Sequence, residues 1–344
     1  MADVARTAGV SVATVSYVIG GRSGNRAASR ISEETRQRVM ASVEAIGYRV
    51  NEPARNLRRQ RTDRVLLLID RLSSPYDQRF ATDVEAVLND NGLSLSIVVC
   101  PTLDKLVDAL DMIPRGLADA AIIQPWGLVQ YQHVLRDFAR QNVPMVAVGN
   151  LEPDGFDVVA NEEVQAINDA VDHLVGQGHR RIGFIGHRPQ VPYAEHRLDQ
   201  VRERLSVHGL DIPDRYTRPG ARDRNQAHAS TLELLEGDDP PTAIFSASDT
   251  GAIAAIWAAH ALNLRIPEDV AIVGCGNVEE GRITVPNLSS AGPSSPDFAP
   301  VARLLIERIA SPQTTPDRRL LIPWSFFPRG SSQGSTAPPA SSQV

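Results

Sequence analysis

The stretch DVARTAGVSVATVSYVI, residues 3–19, decides how the first fifth of this chain folds. Asp3 is placed to cap a first short helix from Val4 to Ala8. Gly9 supplies the backbone freedom for a turn. Val10 is the apolar turn residue that locks two helices together. Ser11 is a good N-cap for a second helix, Val12 to Ile19. Ala5, Val10, Val15 and Val18 then face a small core, and Val12, Ala13, Ser16 and Tyr17 are left on the outer face. This is a helix-turn-helix, in which the start of the second helix meets base edges in the major groove. A third helix follows, with Ser32 as its cap and Glu33 and Glu34 in its first turn. Val39, Val43 and Ile46 form its apolar stripe, and Gly47 ends it.

Working outward, the next segment is NEPARNLRRQRT, residues 51–62. Residues 1–62 hold eleven arginines against five carboxylates, a charge of +6, while the whole chain carries −6. The remaining residues therefore carry −12. Phosphate binding needs local positive charge, and an acidic body limits non-specific sticking. The competing reading, a solvated helix face with incidental arginines, does not explain why charge and motif coincide.

After Thr62 the pattern alternates. Apolar runs at Val65–Ile69, Leu95–Val99, Ala120–Ile123 and Pro144–Val148 are separated by helical stretches near 80–91, 103–112 and 129–141. A second set follows, with strands at Asp157–Val159, Ile182–Ile185, Ala243–Ser246 and Val270–Val273. Its helices fall near 163–177, 195–207, 225–236 and 250–262. Strand–helix alternation of this kind predicts parallel sheets with crossover helices. Two such lobes leave a cleft at the carboxyl ends of their strands. The closing SSQGSTAPPASSQV, residues 331–344, lacks an apolar pattern and is expected to be disordered. Cys100 and Cys275 form no spaced cluster and read as reduced core residues. The N-terminus has no apolar targeting core, and no apolar run approaches a membrane span. A cytoplasmic protein without membrane contact is expected.

Taken together, the motifs closely resemble the LacI/GalR family of bacterial transcriptional repressors. DVAxxAGVSxATVS matches at Asp3–Ala5, Ala8–Ser11 and Ala13–Ser16. SEETRQRV (Ser32–Val39), GYxxN (Gly47–Asn51) and ARxL (Ala54–Leu57) follow. In the body, GHRRIGFIG (Gly178–Gly186), PTAIFSASD (Pro241–Asp249), IPEDVAIVG (Ile266–Gly274) and PRG (Pro328–Gly330) stand in family order. The resemblance implies an all-α helix-turn-helix domain (1–50), a hinge helix (51–62) and an α/β two-lobed core of the periplasmic-binding-protein type (63–330). Lobe 1 would span about 63–155 plus 290–320, and lobe 2 about 156–289 plus 321–330. A homodimer on a palindromic operator is implied. Val12, Ala13, Thr14, Ser16 and Tyr17 would contact DNA in the major groove. Asn51, Ala54, Arg55, Leu57 and Arg58 would contact it from the hinge, with Leu57 as an apolar wedge in the minor groove. A short, polar, basic segment that orders only on DNA agrees with this. Tyr17 departs from the arginine common at its position, and residues 22–30 make a longer loop than is usual.

In that architecture a small-molecule effector occupies the cleft. The implied liners are Ser73, Ser74 and Tyr76 from one lobe and Arg197, Ser248, Asp249 and Gly276 from the other. An arginine fork at 197 suits hydroxyls or carboxylates. The alternative is a surface ion pair with Glu195 or Asp199. Many relatives carry GFDD where this chain reads GCGN (Gly274–Asn277), so a customary acid is replaced by Gly276. Arg222 or Arg224 stands near a customary aromatic. Fewer acids and more arginines point to an anionic metabolite or sugar derivative rather than a neutral sugar. No cofactor or metal is expected, and no GxxxxGK[ST], HExxH or GxSxG motif suggests an enzyme. Two other readings stay open. One is a regulator of this fold with no effector; the other, of a different class, is a solute-binding protein.

Overall fold

The computed structural model describes residues 1–19, 31–48, 56, 59, 61–124, 131–186, 195–295, 297–311 and 316–333. It divides into two compact units, Met1–Arg61 and Thr62–Val344.

The first unit packs α1 (Ala2–Ala8), α2 (Val12–Ile19) and α3 (Glu33–Ile46) around Val4, Ala5, Ala8, Val15, Val18 and Val39. Gly9 ends α1 at φ 64°, and the Val10 N–H returns to the Ala5 carbonyl at 3.0 Å. Ser32 caps α3 through the Thr35 N–H at 3.2 Å, and Gly47 ends it at φ 62°. Two details differ from the sequence reading. Asp3 is not the cap of α1. The helix starts at Ala2, Met1 packs against the small core, and Asp3 sits in the first turn, paired with Arg6 at 3.2 Å. Ile46 is exposed, because it is the last residue of a fourteen-residue helix packed on helices of seven and eight. The loop 22–30 and the hinge residues Asn51, Ala54, Arg55, Leu57 and Arg58 lie outside the described residues.

In the second unit, eleven strands pair in the order β2-β1-β3-β4-β5-β11-β10-β9-β8-β6-β7. Lobe 1 holds β1 (Arg64–Ile69), β2 (Ser94–Val99), β3 (Ala120–Gln124), β4 (Met145–Val148) and β5 (Asp157–Glu162). Its helices are α4 (Pro75–Asp90), α5 (Leu103–Leu110), α6 (Gln132–Arg140) and the late α12 (Ala299–Ala310). Successive side chains of a strand face opposite sides. Val65, Leu67 and Ile69 therefore pack on Phe80, Val84, Phe298 and Leu305, while Leu66 and Leu68 meet Leu106, Leu110, Leu135 and Phe138. Both faces of the sheet are covered, which is why β1 reads as an unbroken apolar run.

Lobe 2 holds β6 (Ile182–Gly186), β7 (Thr217–Pro219), β8 (Ala243–Ser246), β9 (Ala271–Cys275) and β10 (Ser289–Pro293). Around them lie α7 (Val164–Gly176), α8 (Glu195–Val207), α9 (Arg224–Leu235), α10 (Asp249–Ala261) and α11 (Glu280–Ile283). The final strand, β11 (Arg319–Phe327), belongs to both lobes. Its first half runs parallel to β5, and its second half runs antiparallel to β10, with Trp324 opposite Pro293.

Two expectations about boundaries are corrected. The strand at 157 belongs to lobe 1, not lobe 2, because β5 pairs with β4 and β11. The chain first crosses after Glu162. The ordered body also does not stop at 330. Ser331 and Ser332 are buried; Ser331 Oγ donates to the Ile272 carbonyl at 2.5 Å, and Ser332 Oγ donates to Ser289 Oγ at 2.7 Å. Small hydroxyls look polar in the sequence, yet here they satisfy strand-end backbone and one another. Residues 334–344 lie outside the described residues.

A buried ion network anchors lobe 1. Asp157, fully buried at the start of β5, takes Arg308 from α12 at 2.8 and 3.0 Å and Arg318 at 2.9 Å. Burial pushes the Asp157 carboxyl up, but the bonds from Arg308 and Arg318 outweigh it and hold the group below its ordinary value.

Candidate functional site

Two surfaces have the geometry of a site. The first is the outer face of α2. Val15 and Val18 are buried, so the helix presents the intervening residues outward. Ser11, Ala13 and Ser16 are exposed, Val12 is 48% exposed and Tyr17 is 40% exposed. Thr14 is half-buried. Its N–H donates to Ser11 Oγ at 3.1 Å, and the two hydroxyls are 2.9 Å apart, so Ser11 is the cap and Thr14 braces it. The four remaining outward residues form one contiguous face.

The second surface is the cleft at the strand ends of the body. Asp249 opens α10 and is buried. Its carboxylate accepts from Ser290 Oγ at 2.6 Å and from the Val278 N–H at 2.8 Å. Burial dominates and pushes its carboxyl up to about 6. The glycines of the GCGN stretch make room for it. A Cβ on Gly274 would lie 2.3 Å from Asp249 Oδ1, and Gly276, at φ +130°, already has Asp249 Oδ2 3.4 Å from its Cβ position. The buried Asp249 carboxylate thus lies against Gly276, the position at which the sequence lacks the customary acid. Asn277 next door is buried and structural: its Nδ2 donates to the Pro293 carbonyl at 2.8 Å, and its Oδ1 accepts from Arg329 at 2.5 Å.

Ser248 and Ser74 cap helices. Ser248 Oγ accepts from the Gly251 N–H at 3.1 Å and donates to the Ala221 carbonyl. Ser74 Oγ accepts from the Asp77 N–H at 3.2 Å. Asp77 in turn accepts the N–H groups of Ser73 and Ser74 at 3.3 and 3.1 Å. Tyr76 lays its ring edge-on against Phe298, 5.0 Å between centroids.

Arg197 is buried and pairs with Glu163. Nη2 donates to Glu163 Oε2 at 2.6 Å, Nε reaches both Glu163 oxygens at 3.3 and 3.2 Å, and Nη1 donates to the Ala247 carbonyl at 2.6 Å. The guanidinium lies over the Trp324 ring, 5.0 Å from its centroid. Arg222, from the loop before α9, crosses to lobe 1. There it grips Asp70, the residue after β1, with two bonds of 2.6 and 3.1 Å. Arg224 is exposed at the start of α9 and takes no part. Burial lowers the Arg222 guanidinium below its ordinary value against the pull of Asp70. Neither Arg197 nor Arg222 is therefore the uncommitted fork that the sequence suggests; each already holds a carboxylate.

Sequence reasoning missed how these partners combine. Neither Glu163 nor Asp70 was paired with its arginine in the sequence reading, and Arg222 and Asp70 are 152 positions apart. Trp324 and Gln124 were not singled out at all. Both are buried, and Gln124 Oε1 and Trp324 Nε1 have no hydrogen-bond partner. Cys275, also at a strand end, is buried, with its thiol pushed up to about 12 by desolvation, so it is a neutral packing residue. Among the described residues no group of three or more His, Cys, Asp or Glu is placed to hold a metal ion.

Known proteins resemble the chain at both ends and along its length. Residues 1–51 match the model described as bacterial regulatory proteins, lacI family, and residues 171–332 match a periplasmic binding protein-like domain. The HTH-type transcriptional repressor PurR of Mannheimia succiniciproducens is 28% identical over 90% of this chain and 91% of its own length. Catabolite control protein A of Priestia megaterium is 28% identical over 93% and 95%. The HTH-type transcriptional repressor CytR of Escherichia coli is 26% identical over 89% and 88%. Among solved structures, the transcriptional regulator CelR in complex with cellobiose superposes with a TM-score of 0.68 at 25% identity, covering 96% of this chain and 98% of its own. The lac repressor dimer bound to operator and the anti-inducer ONPF gives 0.79 at 21% identity over 96% and 98%, a likeness of fold alone.

Proposed function

We propose that the chain, whose residues 1–51 match the lacI family of bacterial regulatory proteins and whose residues 171–332 match a periplasmic binding protein-like domain, is a repressor that reads a near-palindromic operator as a homodimer and answers to a small molecule in the interlobe cleft. It is a DNA-binding transcription regulator, and its relatives are repressors rather than enzymes. The observation that carries the operator reading is the outward face of α2. Val12, Ala13, Ser16 and Tyr17 stand exposed on a helix whose other side is fixed in a core. Asn51, Ala54, Arg55, Leu57 and Arg58 would add the hinge contacts.

Exposed apolar residues support the dimer. β2 is an edge strand with Ile97 and Val99 in water, and lobe 2 exposes Trp257, Ile283 and Val285, the last two at 79% each. Unpaired edges and apolar patches of this sort are ordinarily covered. For the effector, an anionic metabolite or sugar derivative remains the reading. Arg222 is the group it would meet, and Ser73, Tyr76, Arg197, Ser248, Asp249 and Gly276 shape the walls. Arg197 would act mainly by holding Glu163 and Trp324 in place.

A second reading, a regulator with no effector, draws on the same pairing: both cleft arginines are already satisfied. Thermal unfolding with a metabolite panel separates the two, since a ligand that binds only the folded state raises the melting temperature. A shift with any panel member supports the effector reading, and a flat response across carboxylates, phosphates and sugars supports the second.

A further inference from the structure

We infer that Arg222 and Asp70 form a charge latch across the cleft, and that the effector is an oxyanion that works by exchange, taking the place of the Asp70 carboxylate on the Arg222 fork. This rests on the proposed effector reading and gives that ligand a class and a mode of action. The pair joins the two lobes outside the crossing strands. Asp70 follows β1 of lobe 1, and Arg222 sits in the loop before α9 of lobe 2. The two side chains are only 17% and 14% exposed, so the bond is made largely out of water. The other ion pairs described above lie within a single lobe.

Charge accounting decides which partner is exchanged. Asp70 has a second cation within reach, Arg71 at 3.5 Å, itself half-exposed. When a ligand carboxylate or phosphate takes Arg222, Asp70 keeps Arg71 and turns toward solvent. Both guanidinium edges of Arg222 stay occupied, since a fork accepts either oxyanion with two parallel bonds. A cationic ligand would instead cost the buried guanidinium its two bonds to Asp70, which an oxyanion replaces.

The class is thus a carboxylate or a phosphate. Such a ligand breaks the interlobe bond as it binds, so it favours the lobe arrangement that the latch opposes.

The test uses the full-length protein with spin labels at Gln141→Cys in lobe 1 and Glu236→Cys in lobe 2. Both sites are exposed, and the two native cysteines are buried. Interlobe distance is measured alone and with inorganic phosphate, gluconate and glucose, and binding is followed by calorimetry. Asp70→Asn or Arg222→Gln should lengthen or broaden the distance, and the swapped pair Asp70→Arg with Arg222→Asp should restore it. The oxyanions should move the wild-type labels and glucose should not; whichever oxyanion acts more strongly names the source. Asp70→Asn should bind the oxyanion roughly tenfold more tightly, because its internal competitor is gone, and Arg222→Gln should lose it. Distances unaffected by all variants, no response to either oxyanion, or Asp70→Asn binding no more tightly than wild type overturns the latch. Operator binding by the same preparation keeps the outcomes apart. A protein that binds its operator but fails these tests refutes the latch alone.

Discussion

Tyr17 presents a phenol where an arginine would offer two parallel donors to guanine O6 and N7. Since it is exposed on the same face as Val12, Ala13 and Ser16, it should set the base preference of each half-site. Selection from a random duplex library is expected to return a different motif for Tyr17→Arg than for the wild type; an unchanged motif would remove Tyr17 from the reading face. Asp249 makes a prediction of a different kind. Its folded value, about 6, lies above the ordinary 3.8 of an aspartate, so the folded state holds the extra proton between those values. Stability from this group is therefore greatest at low pH and falls as pH rises from about 4 through 6, by roughly 1–3 kcal/mol. Asp249→Asn keeps an amide able to meet Ser290 and the Val278 N–H. It should be at least as stable as wild type at pH 7 and lose that advantage below pH 4, as read by denaturant unfolding at the two pH values. Arg197 shows why a simple truncation misleads. Removing it strands the buried Glu163, at a cost of about 3–5 kcal/mol, so lost effector binding in Arg197→Ala could reflect only a damaged floor.

At the scale of elements, most helices and strands were legible because each has one buried face or one buried run, and periodicity reports burial. The second helix of the head and the strand Ala243–Ser246 stand where the pattern placed them. The strand at 157 was legible as a strand but assigned to the wrong lobe. Its own residues say nothing about the neighbours it pairs with, and the boundary between lobes is a fact about pairing. The same holds for the cleft: Arg222 was singled out as a cation, but not its pairing with Asp70, 152 residues earlier. Ser331 and Ser332 were read as tail because composition cannot tell a solvated serine from one that closes a strand end. Two elements carry predictions. Asp157→Asn should destabilise lobe 1 by about 3–5 kcal/mol, because Arg308 and Arg318 would share a neutral partner in a buried site. The Asp157 carboxyl is held below its ordinary value, so its contribution is fully present above the unfolded carboxylate range. It is lost as pH falls through the folded value. Urea melts of wild type and variant at neutral and acid pH should therefore converge on acidification. In the proposed hinge, Leu57→Ala should weaken operator binding far more than binding to random duplex, since a wedge acts only where the central step can kink. Equal losses on both would reject the wedge.

For the whole molecule, the separation of charge is the governing feature. A head and hinge of +6 on a body of −12 concentrates phosphate affinity where the reading helix is, and repels DNA elsewhere. In the proposed homodimer, two such heads would read two symmetric half-sites. The measurement that tests this most directly is a titration of the full-length protein against its selected operator and against the isolated half-site, at several salt concentrations and with the stoichiometry read by mass. The account predicts two chains per duplex, a full site bound far more tightly than a half-site, and affinity falling linearly on a log–log plot against salt. A single chain that binds the half-site as tightly as the full site, with little dependence on salt, would contradict it.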